Sequence, residues 1–253
     1  MFTKQTKALF LMAPVALAIV GCSDEETSTA DVKDSAYWAD IQVNSNGDKN
    51  SSTVKADLKV SGPTGNSLKL QKGEKIEVRA GGLSKELKYD KDFLGSDYET
   101  AIGIDETGTE FDVRFYPLGK KPFISTVKMP EKYAISAPKQ GAVFKSNEMV
   151  QVLWDKPTQK STRFKLDATY QCTPKDGQTK FSYVYDLSKD TGSYTFDLAK
   201  AEQLKASDID RSKPCYLEAV LKRTNTGELS KEYGKGGKIE AHQTRKVKVQ
   251  INF

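Results

Sequence analysis

The feature that most restricts the fold of this chain is a period of two in its apolar residues. Val54, Ala56, Leu58 and Val60 alternate with Lys55, Asp57 and Lys59. Ile76, Val78 and Ala80 alternate with Glu77 and Arg79, and Phe111, Val113 and Phe115 with Asp112 and Arg114. Successive side chains of an extended backbone point to opposite faces, so each run predicts a half-buried strand. Gly73, Gly81-Gly82, Gly95 and Gly108 punctuate the runs as turns. Asn46-Gly47 predicts a hairpin from Asp40-Ile41-Gln42-Val43 into the strand near Val54. The pattern predicts about seven short strands before Met129.

The style then repeats. Met129-Pro130-Glu131-Lys132 closes one pattern and Ile135-Ser136-Ala137-Pro138 opens the next, with the two prolines making a short, stiff connector. Val150, Val152 and Trp154 alternate, as do Phe164, Leu166, Ala168, Tyr170 and Cys172. Further strands are expected over 181–185, 194–198, 215–221 and 247–253. Only 198–206 reads as helical, and Lys235-Gly236-Gly237-Lys238 reads as a mobile loop tip. Strands at this spacing, twice over, predict an all-β chain of two tandem antiparallel β-sandwiches.

Ile135-Ser136-Ala137-Pro138 and Val150-Gln151-Val152-Leu153-Trp154 carry a resemblance to the immunoglobulin-like modules of bacterial surface proteins. The resemblance covers the second half and implies an immunoglobulin-like β-sandwich there. Two departures separate it from true immunoglobulin domains: Trp154 precedes both later cysteines, and Lys213 stands where a tyrosine corner would put Tyr.

The first residues are of another kind. Lys4 and Lys7 make a basic start without acids, and Ala8 to Val20 carries no polar side chain. That stretch suits the core of a signal peptide and is too short to span a bilayer as a helix. It ends Ile19-Val20-Gly21-Cys22, which resembles the lipobox of bacterial lipoproteins. The resemblance implies cleavage before Cys22, a diacylglyceryl group on its thiol, and acylation of its new amine. Ser23 in place of an aspartate then implies the outer membrane of a Gram-negative envelope. Residues 23–35 lack the apolar content to pack and read as a flexible tether. The expected divisions are a signal peptide over 1–21, a lipidated tether over 22–35, and sandwiches over 36–130 and 131–253.

With Cys22 taken by lipid, Cys172 and Cys215 remain, and an even remainder in an exported chain predicts one disulfide. It would close a loop of about 44 residues, for which chain entropy gives roughly 4 kcal/mol.

The chemical inventory is sparse. The net charge of +5 is mild and the lysines are spread among acids, so no basic stripe points to nucleic acid. His242 is the one histidine, which excludes a His-Glu-x-x-His zinc site, and it reads as a surface residue. No Gly-x-Ser-x-Gly elbow and no phosphate-binding glycine loop occurs, and no cofactor is expected. Ser52–Lys55 and Ser125–Lys128 match Ser-x-x-Lys, but in strand-like stretches where that spacing brings no contact. Asp90, Asp92 and Gly95 fit three positions of a calcium loop, yet Leu94 and Ala101 break it. Asp90, Asp92 and Asp97 stay as candidates for a looser cation site, against the simpler reading of a solvated turn. Trp38, Tyr183 and Tyr185 are candidates for stacking on sugar rings, against the simpler reading of core packing.

The expectation is therefore a non-catalytic envelope lipoprotein, held to the membrane through Cys22, whose modules bind an envelope protein. The alternative is a glycan-binding lipoprotein for surface polysaccharide or peptidoglycan. An enzyme with an unfamiliar site stands third.

Overall fold

Each alternating run forms a strand in the computed structural model, which describes residues 26–48, 50–92, 95–158, 163–177 and 180–253, and of residues 92, 180 and 183–186 the backbone. The first half holds β1 (Glu26–Ser28), β2 (Tyr37–Ser45), β3 (Ser52–Val60), β4 (Ser67–Lys69), β5 (Lys75–Ala80), β6 (Leu83–Glu86), β7 (Lys88–Asp92), β8 (Gly95–Ile102), β9 (Glu110–Tyr116) and β10 (Phe123–Lys128). The second holds β11 (Ile135–Ala137), β12 (Val143–Lys145), β13 (Met149–Trp154), β14 (Arg163–Cys172), β15 (Lys180–Leu187), β16 (Ser193–Asp197), the short helix α1 (Glu202–Lys205), β17 (Cys215–Thr226) and β18 (Gly237–Asn252). The strands before Met129 outnumber the expected seven because β1, β4 and β6 have three or four residues and show no period.

One sheet runs through both halves in the order β1-β4-β3-β2-β18-β17-β14-β15, with β12 on β18 and the β7–β8 hairpin on β3. Two smaller sheets, β10-β9-β5-β6 and β11-β13-β16, complete a sandwich in each half. Pairing is mostly antiparallel, as expected. The exceptions are β1 on β4, β12 on β18 and β18 on β2, which are parallel. The β2–β18 pair joins strands at opposite ends of the chain, so no tight hairpin constrains its direction.

Two apolar cores result. Ile41, Leu58, Phe111 and Phe115 centre the first, and Trp154, Leu166, Leu217 and Ile251 the second. The expected division at 130/131 does not separate their residues. Tyr233, Ile239 and Ala241 pack into the first core, while Val247, Val249 and Ile251 pack into the second. The reason is the length of β18, whose alternate residues keep one inward face from Ile239 to Ile251 and pass from one core to the other.

Two further expectations are corrected. Residues 26–35, read as part of a tether, are built into the fold. Glu26 pairs with Ser67 in register, and Thr29 is buried, with its hydroxyl bonded to Glu74. The Glu26 carboxylate accepts from Tyr89, Lys91 and Ser96, and Lys69 stands 3.4 Å away. The Lys91 and Tyr89 bonds hold its pKa down to about 2. A segment of low apolar content is ordered here because one carboxylate gathers several donors and Val32 packs against the first core. Lys235-Gly236-Gly237-Lys238 is not a free tip either. Lys235 N donates to Tyr37 O at 2.9 Å, and Gly237 and Lys238 pair with Ala39 and Asp40. Gly237 has φ +127°, and a Cβ there would lie 1.9 Å from Ala39 O, so only glycine lets β18 enter beside β2.

Candidate functional site at the junction of the cores

The inward face of the large sheet changes character halfway along. On β18 it reads Ile239, Ala241, then Gln243, Arg245, then Val247, Val249, Ile251. Arg223 continues the apolar inward row of β17, and Ser45 and Ser52 do the same at the ends of β2 and β3. These residues form a polar layer between the two cores.

Arg223 is fully buried, and its Nε donates to Asp190 Oδ2 at 2.7 Å. Its other nitrogens reach the carbonyls of Asp155 and Glu131, and its guanidinium lies 4.4 Å from the centre of the Tyr133 ring. Asp190 also accepts from Trp154 Nε1 at 2.6 Å. The Tyr133 hydroxyl donates to Leu221 O at 2.6 Å, and burial pushes its pKa up. Arg245, its own pKa lowered by burial, donates to Tyr133 O and to Gln243 Oε1. Gln243 Nε2 donates to Asp105 O at 2.8 Å. The buried Asp105 carboxylate accepts from Ser45 and stands 2.8 Å from Lys132 Nζ. The layer thus ties the first core to the second through charge-assisted bonds in a low-dielectric setting, where such bonds are strong and geometrically demanding.

A cleft of about 700 Å³ opens at this junction, lined by Glu110, Lys128, Arg163, Thr224, Thr226 and Glu228 among others. Arg163 binds Glu240 and Thr226 there. Gly227 closes its floor, because Thr126 and Glu228 exchange backbone bonds and a Cβ on Gly227 would lie 2.0 Å from Thr126 O.

The histidine beside this cleft was expected at the surface and is buried instead, 5% exposed. It alternates with the inward Ala241 and Gln243 and stands in register with Thr224 of β17. With its proton on Nε2, 3.9 Å from Glu240 Oε2, the ring of His242 accepts at Nδ1 from the Thr224 hydroxyl at 2.9 Å. Burial, then the charges of Lys222, Lys238 and Arg163 against that of Glu240, bring its pKa down to about 4. The unfolded imidazole titrates near 6.5, so between pH 6.5 and 4 the unfolded chain takes up a proton that the fold refuses. The His242 contribution to stability is therefore expected to fall by up to about 3 kcal/mol over that window and to level below it. Urea midpoints across pH check this, and His242→Gln is expected to remove the slope. Glu77, held to about 2 by Lys75 and Arg79, adds a loss of its own from about 4.5 downward, so the His242 slope is read between pH 6.5 and 4.5.

The other candidates do not converge. Ser52 is buried and donates to Ile104 O, while Lys55 points outward to Asp97. Ser125 is buried and accepts from Ser230 N, while Lys128 lies on the exposed face. Asp90 is exposed, opposite Asp97 in register, and Asp97 is neutralised by Lys55. The side chain of Asp92 lies outside the described residues. Among the described residues no three His, Cys, Asp or Glu side chains are grouped so as to hold a metal.

Trp38 is half-buried on β2, opposite Lys59. Tyr183 and Tyr185 pair with Thr169 and Ala168 on either side of a β-bulge, and their side chains lie outside the described residues. Followed through the sheet, Tyr183 is level with Lys248 of β18 and Trp38 is level with the residue before Gly237. At about 3.3 Å per residue that puts them roughly 40 Å apart along the strands, so they share no sugar-binding platform. Cys172 and Cys215 are bonded, as expected, and join the end of β14 to the start of the neighbouring β17. Cys22 lies outside the described residues. The polar layer itself went unread, although Gln243, Arg245 and Arg223 occupy positions that strand alternation assigns to the interior.

The class that this architecture defines is an all-β protein of sandwiched sheets. No family model matches the chain, and no curated protein matches it. Among solved structures it is similar to the fibronectin(III)-like modules of Clostridium thermocellum CbhA, at 12% identity over 85% of this chain and 90% of that one, with a TM-score of 0.23. A Salmonella alpha-2-macroglobulin mutant shares 12% identity over 86% of this chain and 15% of that one, with a TM-score of 0.24. The chicken CNTN1 FN1–FN3 domains share 12% over 84% and 67%, with a TM-score of 0.21.

Proposed function

We propose that this chain is a lipid-anchored, non-catalytic protein of the bacterial envelope, whose two sandwiches act as one rigid scaffold for a protein partner. The observation that carries the anchoring is the basic start, the apolar run and Ile19-Val20-Gly21-Cys22. The scaffold role is supported by the polar layer, in which the buried Arg223 and Asp105 are engaged in bonds that join the cores. His242, Ser52 and Ser125, the side chains nearest to familiar catalytic types, are likewise engaged in packing bonds. The glycan-binding alternative lacks a shared aromatic platform between β2 and β15. Membrane fractionation is expected to put the protein with the outer membrane. Intact-mass analysis of the mature chain is expected to show an N-terminal Cys22 bearing a diacylglyceryl group and an amide-linked acyl chain. A mature chain with that sulfur free, or with residues 1–21 attached, overturns the reading.

A further inference from the structure

The register fixes where the chain enters the fold. Glu26 is level with Ser67, Ser67 with Lys59, and Lys59 with Trp38, at the outer end of the first sandwich. β1 is parallel to β4, which returns along β3 toward the second sandwich. The backbone amide of Glu26 thus faces away from the second core. The sixteen residues of β18 span about 50 Å, and their far end meets Lys145 and the disulfide.

The entry end has its own surface. Leu118 is 57% exposed there, beside the turn at Gly73 and fixed by its backbone N to Glu74. Around it, Lys33, Lys72, Lys121 and Lys235 are exposed and make no ion pair among the described residues. Lys120 binds Asp34, which holds the Leu118 loop against the segment carrying Lys33. Glu26, Asp34 and Glu74 are occupied by partners, and among the described residues Asp31 and Glu232 are exposed acids of this end.

We infer that this end of the first sandwich, with Leu118 at its apolar point and Lys33, Lys72, Lys121 and Lys235 around it, seats on the anionic headgroups of the bilayer that holds the anchor. The inference rests on the anchoring reading above. Two observations choose this occupant. Only three residues separate Cys22 from the clamped Glu26, and the four Cα steps between them reach about 14 Å at full extension. Unpaired lysines around one exposed leucine complement an anionic interface. The second sandwich then stands off the membrane with its disulfide end outermost, held there by the polar layer.

The test uses the full protein, purified from membranes and reconstituted in vesicles of three parts phosphatidylethanolamine to one part phosphatidylglycerol. A spin label at Leu118→Cys is expected to collide with a lipid-borne relaxer, and one at Lys145→Cys only with an aqueous relaxer. Reversal of Lys72, Lys121 and Lys235 to Glu, with the Leu118 label, is expected to lower the seated population by about fivefold per lysine while the protein stays with the vesicles. Lipidated, vesicle-bound protein in which both labels see only water overturns the inference and leaves the anchoring reading standing. A protein whose mass lacks the lipid overturns that reading, and this inference with it.

Discussion

Arg223→Ala is expected to lower the unfolding free energy by about 3–5 kcal/mol, measured by urea denaturation at neutral pH. The substitution removes a guanidinium that is wholly buried. It leaves Asp190 with the Trp154 indole N–H as its donor among the described residues, takes a donor from the carbonyls of Asp155 and Glu131, and removes one cation from the Tyr133 ring. The loss comes mainly from the carboxylate left behind, since a buried ion pair contributes little against an apolar replacement but costs much when halved. Asp190→Asn in the Arg223→Ala background is therefore expected to restore part of the stability. A loss below about 1 kcal/mol, or a double variant no better than the single, would mean that water reaches this layer and replaces the bonds.

Replacing both Cys172 and Cys215 by Ala is expected to cost about 4 kcal/mol, near the upper end for such bonds. The bond ties neighbouring strands, and the backbone ladder of β14 and β17 still pairs them when it is removed. The larger effect is on the unfolded chain. The closed loop carries β15, β16 and α1, an entire margin of the second sandwich, and opening it frees all of that chain. Calorimetry of the oxidised and reduced protein checks the magnitude. Amide exchange checks the location: protection is expected to fall first in β14 and β15, while β3 and β9 in the first core keep theirs. Equal loss in both cores would show that the polar layer makes them one cooperative unit.

The disulfide shows what counting can do. Three cysteines, one of them in a leader-like context, leave a single pair, and no geometry was needed to predict its bond. The strand positions were legible for a similar reason: alternation is local, and a strand with one buried face must show it. The extra strands were not legible, because three or four residues are too few to carry a period. The ordered segment from Glu26 was missed because its order comes from Tyr89, Lys91 and Ser96, distant in sequence. His242 was misread for a related reason. Its neighbours along the strand are polar, and the group its ring meets in the fold, the Thr224 hydroxyl, is brought to it by the pairing of β17 with β18.

Composition, alternation and the opening residues by themselves determined the all-β character, the duplication of style and the anticipated anchor, since each depends on neighbours along the chain. Tertiary structure alone decided that one strand, β18, serves both cores, and that Arg223, Gln243 and Arg245 join them. Strand alternation specifies which side of a residue is covered, but not by what. Whether an inward arginine ends a strand or bridges two cores depends on Asp190, Tyr133 and Asp105, which only the fold brings to it.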